Sequence, residues 1–219
     1  MNLEIEKKLS EYKTHIIDYA TLKNILVNMD YVNINDKIHN LKQKGIIKSI
    51  KKGLYIHTSA INKNIISKEL ISNKLLESPS CVSLDYALYF YGLIPETVHE
   101  ITAVTSKRSK IFKTDFGIFS YKQIKKELFA VGIKIENSKN GNFMIAGKEK
   151  AICDKIYFTK GVKLTSKRAM LDFLENDLRI DLDELIDFNI KIISKYYEIS
   201  KSKKIQILLK TIEKHSKSN

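Results

Sequence analysis

The sequence predicts an α+β chain in two parts: three helices and a hairpin over residues 1–60, then a small sheet and a terminal helical bundle over residues 61–219. Three observations predict it. Apolar residues recur at helical spacing three times before Gly45; two β-prone runs then flank Lys51-Lys52-Gly53; and strand-like runs between Glu100 and Ala146 give way to helical periodicity from Lys148 onward. With 219 residues, 43% of them apolar and 29% charged, the chain can build real cores. Its 8 Gly and 2 Pro exclude a collagen-like or Pro/Gly-rich disordered chain.

An opening helix over about Leu3–Lys13 would set Leu3, Ile5 and Leu9 near one face. After His15-Ile16-Ile17, Asp18 can cap a second helix, its carboxylate accepting from the free N–H groups of the first turn. Ala20, Leu22, Ile25, Leu26 and Met29 repeat along that helix. Asp30-Tyr31-Val32-Asn33 make a short turn. A third helix, about Ile34–Lys44, places Ile34, Ile38 and Leu41 in one stripe. It stops at Gly45, which enters the left-handed conformation without a Cβ penalty. Ile46–Ile50 and Leu54–His57 then form a hairpin with two lysines at its tip.

Helical periodicity through Ile61–Leu76, carried by Ile65, Ile66, Leu70, Ile71 and Leu75, ends at Ser78-Pro79-Ser80. Ser83 can cap a buried helix, Leu84–Tyr91, that is apolar on most faces and stops at Gly92. Strands are expected at Glu100–Thr105, Phe116–Lys122, Ala130–Glu136 and Asn142–Ala146. Helices are expected at Glu149–Phe158, Ser166–Glu175, Asp183–Tyr197 and Ser202–Lys214.

The order helix, turn, helix, basic hairpin is that of a winged helix-turn-helix, so residues 1–60 read as a DNA-binding domain and 61–219 as a separate α+β domain. With Ile34, Ile38 and Leu41 inward, steps of 100° put Asp36, His39, Asn40 and Gln43 on the opposite face. Together with Asn35 these are the candidate base-facing residues, since Asn and Gln can bond bidentately to adenine. Lys37, Lys42 and Lys44 on the helix flanks and Lys48, Lys51 and Lys52 on the hairpin are candidate phosphate contacts. Those six lysines meet one acid, Asp36, between Ile34 and Ala60. The net charge of +13 fits a polyanionic partner. Lys107, Arg108, Lys110 and Lys113 form a second possible basic contact. Lys201, Lys203, Lys204, Lys210 and Lys214 offer a third basic surface on the final helix.

Enzyme chemistry finds little support. The five histidines, 15, 39, 57, 99 and 215, form no HxxxH or HExxH pair, so no metal site is expected. Gly141–Lys148 has five residues between its glycines instead of four, and Glu149 where a hydroxyl should bind magnesium, so it reads as a strand and not a phosphate loop. Asp172, Glu175, Asp177, Asp181, Asp183, Glu184 and Asp187 straddle a helix end and the next helix start, where Asp181 and Asp183 favour the N-terminus. Cys81 and Cys153 lack paired spacing and read as reduced core thiols. No catalytic residue and no cofactor are expected. With no long apolar run and no secretion signal, the expected location is the cytoplasm.

Three segments carry a family resemblance: Ile46-Ile47-Lys48-Ser49-Ile50-Lys51-Lys52-Gly53-Leu54-Tyr55; Val82-Ser83-Leu84-Asp85-Tyr86-Ala87-Leu88 through Gly92-Leu93-Ile94-Pro95-Glu96; and Ile145-Ala146-Gly147-Lys148-Glu149-Lys150-Ala151-Ile152-Cys153-Asp154. They resemble the AbiEi family, antitoxins and transcriptional regulators of bacterial abortive-infection toxin–antitoxin systems. The last is similar to that family's Ala-x-Pro-Glu-Lys-Ala-x-x-Asp signature, with Lys148 in place of the usual proline. The resemblance implies an autorepressor that pairs on inverted repeats of operator DNA while monomeric in solution. It also implies a C-terminal antitoxin domain that counters a co-encoded nucleotidyltransferase-like toxin, described as type IV antagonism in phage defence. Two readings of other classes stand beside it: a toxin-modifying enzyme, and a protein-binding winged-helix adaptor without sequence-specific DNA binding.

Overall fold

The computed structural model describes residues 2–62, 66–76 and 79–218 and is a mixed α+β fold. It divides into two compact units: Met1–Glu77 with Lys113–Phe116 and Asn137–Phe143, and the remainder from Ser78 to Asn219. Among the described residues, no helix is long and apolar enough to cross a membrane.

The first unit runs α1 (Asn2–Ser10), β1 (Ile16–Asp18), α2 (Tyr19–Val27), α3 (Ile34–Gln43), β2 (Ile47–Lys51), β3 (Leu54–His57), α4 (Thr58–Asn62) and α5 (Lys68–Leu75). Its sheet has the order β1-β3-β2, with β3 antiparallel to both neighbours in the registers Ile16↔Ile56 and Ile47↔His57. Ile5, Leu9, Ile17, Leu22, Leu26, Ile38, Leu41, Ile46, Ile47 and Tyr55 form one core. Burying such side chains stabilises by roughly 1.5–3 kcal/mol each, and this set holds the helices on the sheet. The expected place of Leu3 on that face is corrected: Leu3 is 81% exposed, because two residues before Ile5 is 200° around the helix.

Local sequence sets the turns of this unit. The Asp18 carboxylate accepts from the Thr21 N–H at 2.8 Å and starts α2. At the other end Asp30 takes φ +61°, and the Tyr31 N–H reaches the Leu26 carbonyl at 3.1 Å. Gly45, φ +67°, ends α3: its N–H bonds the Lys42 carbonyl at 3.0 Å and the Ile46 N–H bonds the Leu41 carbonyl at 2.9 Å. This closure sends Ile46 back into the core beside Leu41 and aims the chain into β2. The single helix expected over Ile61–Leu76 is two short ones, α4 and α5, grouped with the first unit; Ile65 and Ser78 lie outside the described residues.

The second unit holds most of a sheet built from β4 (Ser80–Val82), β5 (Ile101–Thr105), β6 (Lys110–Thr114), β7 (Gly117–Gln123), β8 (Ile133–Ser138) and β9 (Gly141–Ala146), in the order β6-β7-β5-β4-β9-β8. β4 runs antiparallel to β5 and parallel to β9, and β5 runs parallel to β7. Around it stand α6 (Leu84–Phe90), α7 (Lys126–Phe129), α8 (Lys148–Phe158), α9 (Lys167–Asp172), α10 (Ile190–Ser200) and α11 (Lys203–Ser218). A π-helical turn at Phe173–Asp177 extends α9, and a 3-10 turn at Leu182–Leu185 precedes α10. The helix expected at Asp183–Tyr197 is therefore split; the Asn189 side chain starts α10 by accepting from the Lys191 N–H at 3.1 Å.

Two expectations about α6 are corrected. Ser83 occupies the cap position without capping through its side chain; the Tyr86 N–H is satisfied by Thr102 Oγ1 at 3.0 Å, which itself donates to the Ser83 carbonyl at 2.6 Å. The helix is also not buried all round, since Tyr89 and Phe90 face solvent while Leu84, Tyr86, Ala87 and Leu88 are buried.

Candidate nucleic-acid interface

The buried stripe of α3 determines its wet face. Ile38 and Leu41 anchor the helix, and Asn35, Asp36, His39, Asn40 and Gln43 are all exposed, so the structure brings the five candidate base-facing residues onto the accessible side of one element. Lys42, Lys44, Lys48 and Lys52 are exposed and Lys37 and Lys51 half-buried. The cations differ in how they are engaged. Lys37 Nζ stands 4.3 Å from the Tyr31 ring centroid, a cation–π contact that holds it beside the turn. Lys48 is ion-paired to Asp115 at 2.7 Å, so a phosphate would have to displace a carboxylate there.

The hairpin is built as expected, with a bulge between Ser49 and Lys51 and Gly53 at φ +78°. Ser49 Oγ donates to the Lys51 carbonyl at 2.9 Å. The Gly53 carbonyl accepts from the Tyr19 N–H at 2.8 Å, and the Tyr19 hydroxyl donates to Asn35 Oδ1 at 3.1 Å. One residue thus links the hairpin tip to the first turn of α3. With its oxygen engaged, Asn35 has its amide N–H groups left for an outside acceptor.

Tyr19, Lys23, Val32 and Asn33 were not among the sequence-derived candidates, yet with Ile34, Asn35 and Asp36 they line an open concavity of about 440 Å³. Val32 is 89% exposed, an apolar side chain in a turn with nothing covering it. The legible signal was a valine beside Asn33 in the short turn before α3. The signal for Tyr19 lay only in the fold, because β1 is three residues long and sets Tyr19 beside the hairpin.

The second basic group lies on and just before an edge strand. Lys110 and Lys113 belong to β6, the edge strand, and Lys107 and Arg108 precede it. Lysines on an edge strand discourage pairing with another sheet. Lys110 also sits 4.7 Å from the Phe112 ring centroid. On α11, Lys204 turns inward, donating to the Thr159 carbonyl at 2.6 Å and the Tyr157 carbonyl at 3.4 Å at the end of α8; burial pulls its pKa down. This removes Lys204 from the basic surface expected there.

The Glu-Lys-Ala-x-x-Asp stretch builds a buried polar cluster. Lys150 and Asp154, both 0% exposed, pair at 3.2 Å one turn apart on α8. Lys150 Nζ also donates to the Leu128 carbonyl at 3.0 Å. Asp154 accepts from Ser83 Oγ at 2.6 Å and from the Tyr196 hydroxyl at 2.7 Å. Burial, then the Asp154 carboxylate, push the Tyr196 phenol far up. Gly132, at φ +69°, sits alongside, and a Cβ there would lie only 3.0 Å from both Ile192 Cγ2 and Lys150 Cβ. Cys81 and Cys153 are free and buried close by, and burial raises both thiols. Closed to solvent, the cluster ties α8 to α10, to the start of α6 and to the end of α7. Glu149 has its own partner, accepting from the Asn189 N–H at 2.9 Å.

Of the acidic group, Asp181 accepts from the Asp183 N–H at 3.0 Å and Asp172 from Asn176 at 2.7 Å. Among the described residues, no three His, Cys, Asp or Glu side chains are grouped to hold a metal. Comparison with protein-family models and with curated proteins returns no significant match.

Proposed function

We propose that this chain is a non-enzymatic, DNA-binding autorepressor and antitoxin of a bacterial abortive-infection system, with residues of the first unit acting as a winged helix-turn-helix. The observation that carries the DNA-binding part is the grouping of Asn35, Asp36, His39, Asn40 and Gln43 on the exposed face of α3, bordered by lysines and joined through Tyr19 to a basic hairpin. α3 would enter the major groove, its amides reading base edges while Lys42, Lys44 and Lys52 hold phosphates. Asp36 would face a cytosine amino group or repel the wrong base. The antitoxin role, directed at a co-encoded nucleotidyltransferase-like toxin, and the pairing of two copies on inverted repeats rest on the resemblance to the AbiEi family.

The test is binding of the full chain to its own upstream DNA and to scrambled DNA across a salt series. A chain ending at Ala60 would cut through α4 and is not a suitable probe. Selective binding is expected for the upstream DNA. Asn40→Ala and Gln43→Ala should each cost about 1–3 kcal/mol there and little on scrambled DNA. Lys52→Ala should weaken both and reduce the salt slope by about 0.9. Equal affinity for the two DNAs at every salt concentration would defeat the repressor reading.

A further inference from the structure

Between α9 and α11 lies a cavity of about 400 Å³ lined by Lys167, Arg168, Leu171, Thr211, Lys214 and His215. Three cations and an imidazole converge on it, and the described residues lining it include no acid. The neighbouring acids Asp172 and Glu213 stay out of the lining, and Asp172 is occupied by Asn176. Lys167 and Arg168 are exposed neighbours at the start of α9 with no ion-pair partner among the described residues, so both remain available to an outside anion. His215 Nε2 is buried without a hydrogen-bond partner, which a folded chain normally avoids. The rest of the lining is apolar or already satisfied: Leu171 contributes its side chain, and the Thr211 hydroxyl is bonded to the Ile207 carbonyl at 2.7 Å. A buried, unbonded imidazole nitrogen beside cations that face no acid is the kind of departure expected of a binding site.

We propose that this cavity binds a phosphate ester with an apolar or aromatic body, of nucleotide size. Its volume falls within the roughly 300–1,000 Å³ range of small-molecule sites. A guanidinium and two ammonium groups match a phosphate, Arg168 offering paired donors and the lysines point charges. Leu171 supplies the wall for the body, and His215 supplies a hydrogen bond to it. The proposal does not depend on DNA binding by α3. The same chemistry could come from a free nucleotide or from a nucleic-acid backbone.

The test is a two-dimensional amide NMR titration of the full chain with AMP, adenosine, inorganic phosphate and a random-sequence duplex. Saturable shifts at Leu171, Thr211 and His215 are expected with AMP. Adenosine and inorganic phosphate should each bind at least about tenfold more weakly, since each lacks one half of the recognition. Arg168→Gln with Lys214→Gln should weaken AMP binding by about tenfold or more while changing the free protein's melting temperature little, because both side chains are exposed. A duplex that displaces AMP identifies a nucleic-acid backbone as the source, and one that does not identifies a free phosphate ester; either supports the site. No saturable AMP shifts, equal binding of adenosine, or binding unchanged in the double variant would overturn it.

Discussion

Replacing Asp154 by Ala should be among the most damaging single changes in the second unit. Lys150 is 0% exposed, and its Nζ has the carboxylate at 3.2 Å and the Leu128 carbonyl at 3.0 Å. Without the carboxylate, a buried ammonium keeps one neutral acceptor, and breaking a buried pair in this way costs about 3–5 kcal/mol. The Ser83 and Tyr196 hydroxyls lose their acceptor as well, which keeps the estimate at the upper end. At about 2–4 °C per kcal/mol for a chain of this size, the melting temperature should fall by roughly 6–20 °C. Urea and thermal unfolding followed by circular dichroism would measure it. Asp154→Leu combined with Lys150→Met removes both charges and should recover the part of the loss due to the unpaired ammonium, while the Ser83 and Tyr196 hydroxyls still lack their acceptor. A loss below about 1 kcal/mol for Asp154→Ala, or a double variant no better than the single one, would refute this account of the cluster.

Three further outcomes follow from the geometry. Asp30 holds a left-handed conformation between α2 and α3, so Asp30→Gly should stay within about 0.5 kcal/mol of the parent while β-branched Asp30→Val loses about 1–2 kcal/mol in urea unfolding. Cys81 and Cys153 are buried and their thiol pKa values raised, so thiolate forms only above the usual thiol range. Labelling by a disulfide reagent should stay slow and nearly flat from about pH 7 to 9 in the native protein, then reach both thiols in urea. Asp115→Asn frees Lys48 and removes a negative charge beside the hairpin; under the DNA-binding reading it should tighten binding to upstream and scrambled DNA alike and steepen the salt slope.

Much of the first unit could be read directly. Asp18, Gly45 and Lys51-Lys52-Gly53 act through local backbone chemistry, and the stripe Ile34, Ile38, Leu41 fixes which side of α3 is wet, so the exposed five could be named in advance. β1 and β4 could not, because a three-residue strand has no period and exists only through its partners β3 and β5. Leu3 misled for the opposite reason: it is apolar but lies outside the stripe set by Ile5 and Leu9. The ion pair of Lys48 with Asp115 joins residues 67 positions apart, beyond any local pattern. Lys150 and Asp154 did leave a signal, an i,i+4 charge pair among Ala151, Ile152, Cys153 and Ile156, where a lysine has no wet face to occupy.

The first unit is assembled from three separate stretches of chain, Met1–Glu77, Lys113–Phe116 and Asn137–Phe143. Its full set of contacts therefore cannot form until residue 143 has left the ribosome. At about 5–20 residues per second, the 66 residues after Glu77 impose a wait of roughly 3–13 s on a nascent chain whose α3 has already been made. Under the DNA-binding reading, α3 would in that interval stand on the growing chain without its finished support. Completion of the first unit would thus be timed by translation of the second.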